Sequence, residues 1–335
     1  MKSILKEAAV TMENIKYYET ENICALGIPV IQKIKIEDCI NVTEYAVKPK
    51  YNIEMYEDKV KIFTYSINLP GDQLGFKSII KNSKFIKDVQ LIIRNEKAEI
   101  VFYSHNNISF KVFDVKRRYS KVENNIYEFR TYINILSKKR DIETSKLIVI
   151  DPGHGGSQLG AVDNFLYEKH LNFDISNRLA KKLKKKGYEV CLTRDSDEDI
   201  GLLDRTDMAN LLQADLFFSV HNNSVPLDMS IETVHGLRGI TILYNSNAPR
   251  SGKKFGTILL EEIANKIGTN TTPFQDRPDL GVLNSCWCPA IILEASFLSD
   301  DSDAKIMMHR IYREKIAEAS SMAVENYFNS IEGVY

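Results

Sequence analysis

Cysteine is scarce: five in 335 residues, at Cys24, Cys39, Cys191, Cys286 and Cys288. That is too few, and too scattered, for the disulfide framework of a small secreted scaffold. Cys286 and Cys288 flank Trp287, a one-residue spacing that suits neither a zinc ribbon nor a thioredoxin motif and reads as buried thiols near a strand. Charge of one sign is also missing. Lys and Arg number 44 against 45 Asp and Glu, so no global field draws the chain to nucleic acid or an anionic membrane. Apolar runs such as Leu147 to Ile150 fall far short of the ~20 residues a transmembrane helix needs, so no transmembrane segment is expected. The opening MKSILKEAAVTMENIKYYE meets Lys6, Glu7 and Glu13 before a signal-peptide run can develop, and no leader is expected there. There is no internal repeat and no low-complexity segment. What remains is a globular balance, 44% hydrophobic and 27% charged, in a chain long enough for about two domains at ~100–200 residues each.

The two halves follow different periodicities. Up to residue 136, short runs alternate apolar and polar residues, as in Ile108, Phe110 and Val112 against Ser109 and Lys111, the signature of half-buried strands. Val89 to Arg94, Ala98 to Ser104 and the run after His105-Asn106-Asn107 read as a meander. Residues 1–136 are therefore expected to form a smaller mainly-β domain, and the charged stretch 137–145 a linker. From 146 to 335 apolar strand-like runs alternate with helical ones: Leu147 to Ile150, Tyr188 to Leu192, Leu216 to Val220, Ile240 to Tyr244 and Ala290 to Leu293. That alternation predicts an α/β domain with an open, mainly parallel sheet and helices on both faces. Leu171, Ile175, Leu179 and Leu183 mark one crossover helix. The lysines near its end read as a solvated face that complements the helix dipole, not as a nucleic-acid site.

Chemistry-bearing residues sit where these strand runs end. His154 lies in DPGHGG after the first run, His221 in SVHNN after the third, and Glu294 in PAIILEASFLSD after the last. Glu168, in YEKHLN, begins the first crossover helix. In an open parallel sheet the carboxyl ends of strands gather at one edge, so these four groups should share a cleft. Two imidazoles and a carboxylate make a common zinc set with one position left for water or substrate, which His154, Glu168 and His221 fit. Glu294, outside that set, is the candidate proton carrier. Each residue has an ordinary reading as well: a histidine near a turn as a hydrogen-bonded structural group, a glutamate at a helix start as a partner of its dipole. Spacing alone leaves both readings open. His170, two positions from Glu168, reads as structural because a helix turns it to another face.

These residues also carry a resemblance. Over residues 146–328 the chain resembles the zinc-dependent N-acetylmuramoyl-L-alanine amidases of bacterial cell-wall remodelling. The likeness runs through strand-DPGHGG, Gly160-Ala161, YEKHLN, LTRDSDED, LLDRTDMAN, ADLFFSVHNN, RGITILYN and PAIILEASFLSD, in that order. The resemblance implies one catalytic zinc ion held by His154, Glu168 and His221, with Glu294 as the catalytic glutamate. It implies peptidoglycan as the partner and cleavage of the amide between the lactyl group of N-acetylmuramic acid and L-alanine, while the balanced charge argues for no nucleic acid. Asn223 matches the family's asparagine two places after the histidine, a substrate contact or a loop anchor. An extracellular or cell-wall location follows from that substrate. Arg205 in LLDR reads as a structural ion-pair or backbone partner.

The chain departs from the family pattern at Ser157-Gln158-Leu159, at Ser296 and at Asp300, none of them a metal or catalytic position. Asn222 to Arg238 is short for the cleft-blocking helix that some members insert there, so no such helix is expected, and control is expected to come from elsewhere. Residues 1–136 weakly resemble β-rich envelope-targeting domains and are the candidate site for a protein activator or partner. Two rival readings stand beside the amidase: a zinc peptidase cutting within the stem peptide, with similar machinery, and a catalytically silent wall-binding or partner-binding protein.

Overall fold

The structure is a computed structural model that describes residues 9–11, 15–36, 49–65, 67–68, 73–94, 97–123, 125–140, 145–223, 238–268 and 274–332. Cys39 and the stretch from 224 to 237, where a blocking helix was not expected, lie outside them. The chain divides into two compact units, Met1–Thr144 and Ser145–Tyr335.

The first unit contains strands β1 (Ala9–Thr11), β2 (Lys16–Glu19), β3 (Ile23–Lys35), β4 (Tyr51–Met55), β5 (Lys59–Tyr65) and β6 (Ile67–Asn68). After helix α1 (Gln73–Ile80) come β7 (Ile86–Arg94), β8 (Lys97–Ser104), β9 (Ile108–Lys116), β10 (Ser120–Glu123) and β11 (Ile126–Lys139). One sheet is built on the long antiparallel pair β3 and β11, and the other runs β4-β5-β8-β7. Leu26, Ile28, Ile133 and Ile135 from the first sheet share a core with Val60, Ile62, Ile100 and Phe102 from the second.

Two expectations change here. The third run of the meander leaves its neighbours: β9 pairs with β11 in the other sheet, because the 14-residue β11 offers a ladder from Thr131 to Lys139 that β9 fills. The linker expected over 137–145 starts inside β11, where Ser137 pairs with both Cys24 and Phe110 and Lys138 with both Ile23 and Ser109. Charge alone did not end the strand, since the two lysines reach solvent from its last turn of pleat while Ser137 stays buried.

The second unit contains β12 (Leu147–Pro152), β13 (Val162–Asp163), β14 (Leu166–Tyr167), α2 (Glu168–Lys185), β15 (Glu189–Leu192), α3 (Leu202–Leu212) and β16 (Leu216–Asn223). It continues with β17 (Thr241–Tyr244), α4 (Lys253–Ile267), β18 (Gln275–Asp276), α5 (Gly281–Ser285), β19 (Ala290–Phe297), α6 (Asp301–Met308) and α7 (Arg310–Glu332). Its six-stranded sheet has the order β15-β12-β16-β19-β17-β18. The first four strands are parallel, whereas β17 runs antiparallel to β19 and β18 follows β17 in parallel. The sheet is therefore mixed at one edge.

Strand alternation sends Ile148, Ile150, Phe218, Val220, Ile291 and Leu293 into one core with residues of α2, α4 and α7. Val149 and Phe217 are buried on the opposite side, where α3 contacts β12 and α5 contacts β19. In α2, Leu171, Ile175, Leu179 and Leu183 are all buried, each contributing about 1.5–3 kcal/mol by leaving water. The helix is thereby clamped to the sheet with its first residue, Glu168, fixed at the edge where β12 and β16 end.

Asp151, near the end of β12, organises that edge. It accepts hydrogen bonds from Thr193 Oγ1 at 2.6 Å, Ser219 Oγ at 2.7 Å and Arg205 Nη1 at 2.7 Å, all buried. Burial alone would raise its carboxyl, but Arg205 and the two hydroxyls outweigh it and hold the group below the ordinary carboxylate range. Arg205 also donates to Pro152 O and His154 O, so the arginine read from LLDR as structural ties helix α3 to the DPGHGG turn. Arg205→Met would leave Asp151 buried without its cation, and should cost about 3–5 kcal/mol of stability. Urea titration checks this; an unchanged midpoint would mean that the pair holds nothing.

Candidate active site

The DPGHGG turn leaves the sheet in a conformation that side chains resist. His154 has φ 59°, followed by Gly155 at 135° and Gly156 at 56°. A Cβ at Gly153 would collide with the His221 ring, and one at Gly160 (φ 68°) with the Glu168 carboxylate, so two glycines let backbone lie directly against this cluster. The turn is held from outside. Arg194 donates to Pro152 O at 3.0 Å and to Gly153 O at 3.2 Å. Asp197 accepts from Gly156 N at 2.8 Å, and Asp199 from Ser157 N and Oγ. The LTRDSDED segment therefore shapes the loop that presents His154, and Ser157, one of the departures from the family pattern, is part of that clasp.

His154, Glu168 and His221 come together, their potential ligand atoms all within 4.8 Å of one another. His154 Nε2 lies 3.2 Å from Glu168 Oε2, and His221 Nδ1 lies 2.8 Å from Glu168 Oε1. The Glu168 carboxylate is only 5% exposed, and it also accepts from Ala161 N at 2.7 Å and Asn222 N at 3.2 Å. Burial opposes its charge, yet hydrogen bonds from the two imidazoles override that and hold it far below the usual carboxylate range. His221 moves the other way. Burial would lower it, but the Glu168 hydrogen bond and the nearby Glu294 carboxylate carry it up to about 9. Two half-buried imidazoles beside one ionised carboxylate form a donor set suited to a divalent cation.

Glu294 stands beside this set. It lies within β19, paired across the ladder with His221, so both residues sit inside strands and not after them: β16 continues to Asn223 because β19 continues to Phe297 beside it. Glu294 Oε2 is buried and has no hydrogen-bond partner among the described residues. Burial, and the Glu168 charge, push its carboxyl up to about 7 against the opposing effects of His221 and Arg277. A buried acid that titrates near neutrality suits proton transfer.

A cleft of about 360 Å³ opens over these groups, lined by His154, His221, Glu294 and Asn223, with Leu202, Val282 and Arg277 among the walls. His170 lies off it, exposed and beside the Tyr167 ring. Four supporting residues escaped the sequence reading. Asn172 donates to Gly153 O and Glu168 Oε1; its i+4 spacing from Glu168 was the available signal. Asn222 Nδ2 donates to Asn172 Oδ1 at 2.8 Å, and Ser296 Oγ donates to Asn222 Oδ1 at 2.7 Å. Ser296, noted only as a departure, thus ends a buried chain that leads to the Glu168 carboxylate. Arg277, paired with Asp279 by two hydrogen bonds, carried no sequence signal. Asp300, another departure, caps α6 by accepting from Ser302 N and Asp303 N.

Residues 148–326 match the family model described as N-acetylmuramoyl-L-alanine amidase. The chain belongs to that enzyme family. Among relatives of this amidase, LytC of Bacillus subtilis is 30% identical over 188 residues, 54% of this chain but only 35% of LytC. The probable cell wall amidase LytH of Staphylococcus epidermidis is 25% identical over 277 residues, covering 79% of this chain and 88% of LytH. The crystal structure of an N-acetylmuramoyl-L-alanine amidase from Clostridium difficile superposes with a TM-score of 0.52 at 29% identity, over 56% of this chain and 99% of that one. No helix among the described residues is long and apolar enough to cross a membrane.

In the metal-free protein, Glu294 gives stability a defined slope with pH. Its carboxyl rises from the ordinary 4.5 to about 7 on folding, so the folded state holds this proton more tightly than the unfolded chain does. The stability it contributes is intact below about pH 4.5 and is lost as pH rises through about 7. Metal-free Glu294→Gln should therefore be more stable than the native protein near pH 8 by on the order of 2–3 kcal/mol, a gap that closes towards about pH 5. Denaturant titration in chelator at both pH values measures it. A gap independent of pH would contradict the raised carboxyl.

Proposed function

We propose that this amidase hydrolyses the amide joining the lactyl group of N-acetylmuramic acid to L-alanine in bacterial peptidoglycan, using one zinc ion. The observation that carries this is the convergence of His154, Glu168 and His221 within 4.8 Å beside a buried carboxyl that titrates at about 7. His154, Glu168 and His221 are the ligands in this reading. Zinc, when bound, lowers the pKa of a water from 15.7 to about 7 and polarises the amide carbonyl. Glu294 takes the proton of the attacking water and returns it to the amide nitrogen as the carbon–nitrogen bond breaks, leaving a lactyl carboxylate and a free L-alanine amine. Asn172, Asn222 and Ser296 keep the Glu168 carboxylate oriented, as groups behind a metal ligand do. Asn223, on the cleft wall, contacts substrate. Peptidoglycan as substrate puts the site of action at the cell wall or outside the cell, and residues 1–136 are the proposed surface for an envelope component or a protein activator.

Mass spectrometry of the products from zinc-loaded protein and defined peptidoglycan tests the reaction. Free stem peptides beginning at L-alanine, absent when chelator is present, are expected. Shortened stems still attached to muramic acid would instead make it a peptidase, and no zinc-dependent product would favour a silent binding protein. Glu294→Gln should lower turnover by at least about 10²-fold yet retain zinc, whereas His154→Ala and His221→Ala should lose the metal. Stoichiometric zinc in both histidine variants, read by elemental analysis, would sink the ligand assignment.

A further inference from the structure

The short hairpin of β13 and β14 carries a residue whose placement the fold itself does not explain. Val162 pairs with Tyr167 and Asp163 with Leu166, leaving Asn164 and Phe165 as a two-residue loop with φ 49° and 63°. Two positive values are the signature of a type I′ turn, whose second position favours glycine. Here a phenylalanine occupies it, and a bulky side chain in the left-handed region is strained. Its ring gains nothing in return, because Phe165 is 100% exposed. In the same hairpin Val162 and Tyr167 are 51% and 41% exposed. Strain combined with a fully wetted ring and apolar neighbours points to a ligand outside the chain.

The hairpin is firmly attached to the reaction centre. At its base, Ala161 N donates to Glu168 Oε2 at 2.7 Å and Glu168 N to Ala161 O at 2.9 Å. At its tip, Asn164 Nδ2 donates to Leu298 O at 2.9 Å, just beyond β19. Phe165 is three residues from Glu168, so their Cα atoms lie within about 11 Å. No hairpin residue lines the cleft. A ligand confined to the cleft would miss the ring, so only one that extends beyond the cleft could reach it.

We propose that Phe165, with Val162 and Tyr167, forms a saccharide-stacking subsite that holds a pyranose ring of the glycan strand next to the scissile amide. This rests on the proposed reaction, in which the sugar is bonded to the acyl side of that amide. A pyranose presents a flat face of C–H groups while its hydroxyls stay in water, which suits an unpocketed aromatic ring and an amphipathic tyrosine. A protein partner needs about 1,000 Å² or more of complementary surface, far beyond a six-residue hairpin.

The test is binding of stem-free glycan strands of alternating N-acetylglucosamine and N-acetylmuramic acid, measured by calorimetry on zinc-loaded protein, with KM on polymeric peptidoglycan measured in parallel. Phe165→Gly should weaken glycan binding about fivefold to tenfold, raise KM with kcat unchanged, and raise Tm because the strained position is relieved. Phe165→Tyr should keep the native affinity. Unchanged glycan affinity in Phe165→Gly, or equal loss in Phe165→Tyr, overturns the proposal. If no amide is cleaved by any of these proteins while glycan binding still falls in Phe165→Gly, the reaction assignment fails and the subsite stands.

Discussion

The Glu168 carboxylate, buried between two imidazoles, is the interaction on which the rest of the second unit depends. A charge in that position is tolerated only because five donors from four places in the chain meet it: His154, Ala161, Asn172, His221 and Asn222. Three of these donors are held by something further out. Asn222 is held by Ser296 and Asn172, His154 by a turn that Arg194 and Arg205 clasp through its carbonyls, and His221 by its ladder with β19. Helix α2 delivers the carboxylate by burying four leucine and isoleucine side chains one turn apart. The packing of the sheet and the electrostatics of the site are consequently one problem, solved at the point where β12, β16 and α2 meet.

The parts of this arrangement that sequence made legible were those with local grammar. A strand run followed by DPGHGG, a glutamate opening an amphipathic helix, and a histidine closing an apolar run each predict a place on a sheet edge, and the edge brings distant residues together. The supporting shell had no such grammar. Asn172, Asn222 and Ser296 form a chain only after folding, and a serine in a strand looks like any other serine. The antiparallel β17 was hidden for a related reason: apolar runs declare a strand but not its direction. In the first unit the alternating pattern announced strands, yet which sheet β9 would join was decided by the length of β11, a property of its partner.

The two carboxylates of the site illustrate how surroundings divide one chemistry into two. Glu168 and Glu294 have the same side chain and both are buried. Glu168 is saturated with donors and stays ionised, while Glu294 has an oxygen without a partner and retains a proton to near neutrality. The contrast separates a group suited to binding a cation from one suited to moving a proton, with no difference in residue type.

The ladder that pairs His221 with Glu294 has a consequence for how such a site can vary. Adjacent strands keep a spacing of about 4.8 Å wherever they occur, so the separation between these two residues is inherited from the sheet, the least adjustable dimension a protein has. Sequence change elsewhere cannot retune it by small steps; it can only keep the ladder or break it. Divergence among proteins built this way is therefore channelled into the walls and rims, into hairpins, caps and cleft linings, while the pair held across the ladder stays on a fixed ruler.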